Sequence, residues 1–148
     1  CGISQISAGS CPGVGGYHQT YKEHDGGDGL QFETVDHRSP GEILRMLCEK
    51  GFIPSYCTAC YRQGRTGDRF MALAKSGDIQ NVCLPNALLT FKEYLLDYAD
   101  DQTRPIGENL IRRSLADIPD QSVRSATAAQ LVQIEQGNRD LYFSTILR

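Results

Sequence analysis

The sequence predicts an α/β segment followed by a mainly helical one, and three observations carry that reading. Two short apolar runs, residues 2–8 and 30–35, have strand character and are separated by a glycine-rich connection. A helix start follows the second run directly, at Ser39-Pro40-Gly41-Glu42. Beyond Pro54 the apolar residues recur at helical spacing, and no further strand pattern appears.

Taken in order, residues 2–8 (GISQISA) alternate apolar and polar positions, and the loop 9–16 holds four glycines and Pro12, a composition that lets backbone approach a ligand closely. Residues 30–35 form the second strand, ending at Asp36, His37 and Arg38. Ser39 is then a cap, Pro40 the first helical residue and Glu42 the returning partner of a capping box. Ile43, Leu44, Leu47 and Cys48 repeat at helical spacing until Gly51. Two strands cannot make a sheet alone, so residues 1–53 read as the closing units of a larger barrel or sheet. Residues 54–148 read as a separate helical domain. Its predicted helices cover 69–76, stopped by Gly77; a helix starting at Pro85 or Thr90 and ending at Asp100 and Asp101; 105–117; and 119–137. The tail 141–147 is apolar enough to pack down.

At 148 residues, with 40% hydrophobic and 22% charged residues, the chain has the composition of a globular domain. No apolar run is long enough to span a bilayer, and no signal peptide is recognisable. The net charge of −3 provides no footprint for nucleic acid or anionic lipid. Because the sequence opens at Cys1 straight into a strand-like alternation, it reads as a piece of a longer chain. Of six cysteines, Cys1, Cys11 and Cys48 are irregularly placed, and Cys48 falls on the apolar side of a helix as a buried free thiol. That pattern fits a reducing interior better than a disulfide framework.

The remaining three, Cys57, Cys60 and Cys83, form a C-x2-C-x22-C arrangement. Cys57 and Cys60 place two thiolates on one turn, and Cys83 must return across a whole helix to join them. A structural zinc site wants four ligands, and His18, His24 and His37 lie upstream without finger spacing. A cubane iron–sulfur cluster on three thiolates keeps one iron corner available or borrows a ligand. On spacing alone, a zinc-stabilised interaction module without catalysis, an iron–sulfur site and a redox dithiol at Cys57 and Cys60 all remain open. Arg62, Arg65 and Arg69, between the cysteines, are suited to balance the negative charge of thiolates and sulfides. Tyr61, Phe70 and Met71 are expected to pack around the metal.

The stretch CTACYRQGRTGDRFMALAKSGDIQNVCLPNALLTFKEYLLDY resembles the carboxyl-terminal auxiliary-cluster domain of the radical S-adenosylmethionine tyrosine lyases that serve di-iron hydrogenase maturation. ISQISAGS, GVGGY and QFETVDHRSPGEIL are similar to the last strands of their TIM-type (β/α) barrel, in the region associated with biotin and thiamin synthesis. A thiazole-synthesis relative shares the barrel but lacks the three-cysteine tail.

The resemblance implies that Cys57, Cys60 and Cys83 hold an auxiliary 4Fe-4S cluster with an additional iron site, its open corner being the working position. It implies an upstream C-x3-C-x2-C motif holding a second 4Fe-4S cluster that cleaves S-adenosylmethionine, and this sequence contains no such motif. Tyrosine would be split to p-cresol and dehydroglycine, the latter yielding carbon monoxide and cyanide on iron. A histidine touching the extra iron is expected upstream of Cys1. Partners would be the other hydrogenase maturation proteins. The setting would be the cytoplasm or another anaerobic, reducing compartment, a hydrogenosome or plastid in a eukaryote. No catalytic residue is assigned within these 148 positions. Ser7, Ser10 and the glycines of 13–16 are candidates for a substrate pocket or simply for a turn, and Cys11 has no ligand spacing. Asp36, with His37 and Arg38, stands at a strand's carboxyl end, a position favoured for sites and equally suited to loop salt bridges.

Overall fold

The computed structural model describes residues 38–64, 66–77 and 80–143. The predicted strands at 2–8 and 30–35 lie outside the described residues, and so do Ser10, Asp36 and Arg65. The chain divides into two compact units, Cys1–Ile43 and Leu44–Arg148. Six helices occupy the described residues: α1 Pro40–Glu49, α2 Ala59–Arg62, α3 Asp68–Ser76, α4 Gln80–Asp97, α5 Thr103–Ala116 and α6 Gln121–Glu135. None of them is long and apolar enough to cross a membrane.

In the first unit, the predicted capping box is present. Glu42 accepts a hydrogen bond from the Ser39 amide at 2.7 Å, and the Glu42 amide donates back to Ser39 Oγ at 3.3 Å. In the second unit, α1 ends in a Schellman turn: Phe52 N donates to Leu47 O at 2.9 Å, Gly51 N to Cys48 O at 3.0 Å, and Gly51 takes φ +82°. The end of α6 repeats this geometry at Gly137, φ +101°, with Asn138 N donating to Gln133 O. At its start, Asp120 Oδ1 accepts from Ser122 N and Val123 N.

The core belongs to α4, which packs against both α5 and α6. Leu88, Leu89, Phe91 and Leu95 are each fully buried, joined by Leu110 and Ile111 from α5, Ile118 from the following turn, and Leu131 and Ile134 from α6. A helix buried on several sides suits the centre of such a bundle. Gly107 sets the α4–α5 approach: a Cβ there would fall 2.5 Å from a Leu95 methyl. Arg104 reinforces that contact by donating to the carbonyls of Leu95 and Ala99 at the end of α4.

One helix boundary differs from the expectation. The sequence places a helix start at Pro85 or Thr90, whereas α4 begins at Gln80 and carries Pro85 inside it. Proline forfeits one backbone hydrogen bond and crowds the carbonyl four residues back. Here Val82 and Pro85 are buried, and Asn86 Nδ2 donates to Val82 O at 2.8 Å, so packing and a side-chain bond hold the turn that proline weakens. The helical turn α2 was not expected, whereas α1, α3, α5 and α6 start within two residues of the expected positions.

A buried charge also escaped the sequence reading. Lys92, 4% exposed, donates from Nζ to Glu108 of α5 at 2.6 Å and lies 2.7 Å from Glu135 of α6. Burial alone would lower its pKa, but the two carboxylates together raise it above its ordinary value.

Candidate metal centre

The cysteine segment follows the turn that ends α1, and residues 52–58 run without helix or strand. Ser55 Oγ accepts from Cys57 N at 3.3 Å, and Cys57 Sγ accepts from Ala59 N at 3.4 Å. Ala59, 3% exposed, anchors the single helical turn α2, which Gly64 terminates at φ +63°. Cys57 and Cys60 are half-buried, bracketing the start of α2, whereas Cys83 is exposed near the start of α4. Cys48 is free and buried, and burial pushes its thiol up to about 11.

Among the described residues, no group of three or more histidine, cysteine, aspartate or glutamate side chains is gathered closely enough to hold a metal ion. Cys57 and Cys60 are neighbours on one turn; Cys83 belongs to another helix. The donor chemistry nonetheless suits a soft metal or an iron–sulfur cluster, since all three are thiols and Cys57 Sγ already receives a backbone amide hydrogen bond of the kind that stabilises thiolate charge.

Of the two predicted cationic neighbours among the described residues, Arg62 and Arg69, Arg62 has a defined partner across the fold. Its Nη2 lies 2.8 Å from Asp140 Oδ2, Nη1 bonds the other carboxylate oxygen, and its guanidinium sits 4.8 Å from the Tyr142 ring centroid. The hydrogen bond from Arg62 holds the Asp140 carboxyl below its usual range. Arg69 is exposed on α3. Tyr61 and Met71 are also exposed, and Phe70 is half-buried.

Cys57 borders a cleft of about 580 Å³ whose walls include Tyr56, Arg62, Tyr94, Asp140 and Tyr142. Tyr56, Tyr94 and Tyr98 form a row with successive ring centroids 6.0 Å apart. Burial, with smaller contributions from Tyr56, Asp100 and Cys48, raises the Tyr94 pKa. Residues 139–142 also line it. Arg139 pairs with Asp97 of α4 through two hydrogen bonds of 2.6 and 2.8 Å, and Asp140 N donates to Glu93 at 2.7 Å. The buried Asn86 amide exchanges two hydrogen bonds with the Phe143 backbone, at 2.7 and 3.0 Å. The sequence reading expected residues 141–147 to pack down, and of these Leu141 and Phe143 pack against the core while 144–147 lie outside the described residues; it did not find Asn86, Asp140 or Tyr142. One signal was available: Asn86 stands as a polar residue among the apolar positions of α4.

No family model and no curated protein matches the chain. Among solved structures, it is similar to the crystal structure of HydG, a maturase of the FeFe-hydrogenase, with 62% sequence identity and a TM-score of 0.85 over 96% of this chain. That combination decides the relationship. The chain is a relative of HydG. It spans 30% of the HydG chain, so the likeness concerns a minority of HydG's length. The helical architecture of the described residues agrees with the mainly helical half of the predicted fold, while the two strands of the predicted barrel part fall on residues outside the description.

Proposed function

We propose that this chain is part of a radical S-adenosylmethionine enzyme of FeFe-hydrogenase maturation, and that Cys57, Cys60 and Cys83 hold its auxiliary 4Fe-4S cluster. The observation that carries this reading is the 62% identity to HydG across 96% of the chain. When bound, a cluster on three thiolates supplies one coordination position open to a small ligand or a further iron. In this reading, the whole enzyme splits tyrosine to p-cresol and dehydroglycine, and the latter yields carbon monoxide and cyanide delivered to iron as the product complex. S-adenosylmethionine and the cluster that cleaves it belong to residues other than these 148, which lack the C-x3-C-x2-C motif.

The chain's own residues have separate tasks. Cys57 and Cys60 provide two thiolates from one turn, with the Ala59 amide donating to Cys57 Sγ. Cys83 supplies the third from α4. The cleft bordered by Cys57 places Tyr56 and Tyr94 beside that thiolate. The 53/54 boundary between barrel units and cluster domain is part of the same proposal.

Anaerobic reconstitution of the whole protein with iron and sulfide tests it. Cubane stoichiometry and brown colour should fall by one cluster when any one of the three cysteines is changed to alanine. Stoichiometric colourless zinc on the same cysteines, with no iron lost on their removal, would sink the proposal.

A further inference from the structure

The cysteine turn has little apolar support of its own. Between Cys57 and Gly64, Ala59 is the sole buried side chain, while Thr58, Tyr61, Arg62 and Gly64 are exposed. Arg62 follows Cys60 by two residues, and its guanidinium reaches 78 positions along the chain to Asp140.

Asp140 is itself firmly seated. It is the one non-glycine residue with positive φ, +63°, among the described residues, a conformation that aspartate and asparagine tolerate and most side chains resist. Its amide is held by Glu93, the preceding Arg139 by Asp97, and the tail three residues beyond by Asn86, all on α4. The strap 139–143 is therefore fixed to the core independently of Arg62. α2 leans on it through a forked ion pair capped by the Tyr142 ring.

We propose that Asp140 and Tyr142 are positioning residues for the metal centre: through Arg62 they orient the turn carrying Cys57 and Cys60 so that both thiolates are presented to the cluster together. This rests on the reading that the three cysteines hold a cluster. Backbone strain retained at Asp140 has a reason in this arrangement, because the left-handed residue aims its carboxylate across the cleft at α2. An exposed ion pair adds little to global stability, so its effect belongs to the local geometry of the turn.

The test uses the full-length protein with the cysteines of its C-x3-C-x2-C motif changed to serine, leaving one cluster. Iron release to excess bathophenanthroline is followed anaerobically, beside thermal melting and the electron paramagnetic resonance of the reduced cluster. Asp140→Asn keeps the left-handed backbone and removes the charge. It should speed iron release by about 10-fold, the usual scale for outer contacts of metal ligands, and alter the resonance line shape with an unchanged melting temperature. Arg62→Gln should match it, the double variant should be no faster than either, and Arg62→Lys should recover part of the loss. Tyr142→Leu should give a smaller acceleration.

Lys92→Gln, which damages the bundle away from α2, should lower the melting temperature without changing release or line shape. Wild-type release rates in both Asp140→Asn and Arg62→Gln, or an acceleration that Lys92→Gln reproduces, would overturn the positioning role. Undiminished iron in a protein with Cys57, Cys60 and Cys83 all changed to serine would instead overturn the cluster reading beneath it.

Discussion

The helical bundle of α4, α5 and α6 and the cysteine segment 57–77 are built on opposite terms. Six side chains of α4 are fully buried, whereas between 57 and 77 Ala59 is the one buried among the residues whose side chains are described. Apolar burial holds the first. Turn glycines at Gly64, Gly67 and Gly77, the Arg62–Asp140 pair and, in the proposed holoprotein, the metal hold the second. The difference teaches where changes will be felt: folding depends on the bundle, and the proposed metal binding on residues whose loss the bundle tolerates.

The largest expected effect tests the bundle. Leu88→Ala, at a wholly buried position, should cost about 2–5 kcal/mol in denaturant unfolding. Cys83→Ser, exposed, should stay within about 0.5 kcal/mol of the parent in metal-free protein. Equal losses from the two would break the contrast. Asn86→Ala comes next, at about 1–3 kcal/mol, because it removes a buried amide and leaves the part-buried Phe143 amide and carbonyl without it. Hydrogen exchange at Phe143 should accelerate more than at Leu131, which would show the strap loosening ahead of the core.

A smaller effect concerns Lys92. Its folded pKa is raised, so its contribution to stability is complete below the ordinary value of 10.5 and is lost as pH climbs through the folded value above it. Melting temperature followed into that alkaline range should fall more steeply in wild-type protein than in Lys92→Met. Parallel curves would deny the triad its role. The smallest effect leaves stability untouched: in metal-free protein near neutral pH, Cys48 should alkylate after Cys57, Cys60 and Cys83. With its pKa near 11 against an ordinary 9.0, its thiolate is about 100-fold scarcer than that of an unshifted thiol. Early labelling of Cys48 would show that α1 is less firmly packed than its burial implies.

Local features were legible because their causes are local. The Ser39–Glu42 box, the glycine stops at Gly51, Gly77 and Gly137, and the buried thiol at Cys48 each depend on a few adjacent residues or on helical periodicity. Continuation of α4 through Pro85 was not legible, since burial of Val82 and Pro85 overrides a local penalty that sequence shows plainly.

By itself, the sequence determined the helical grammar of residues 40–137 and singled out Cys57, Cys60 and Cys83 by type and spacing. Tertiary structure alone decided which distant groups meet: Lys92 with Glu108 and Glu135, Asn86 with Phe143, and Arg62 with Asp140 and Tyr142. Capping and periodicity act over a few residues and leave a trace in the string of letters. Contacts closed by packing α5, α6 and the tail onto α4 span up to 78 positions, and no local pattern encodes them.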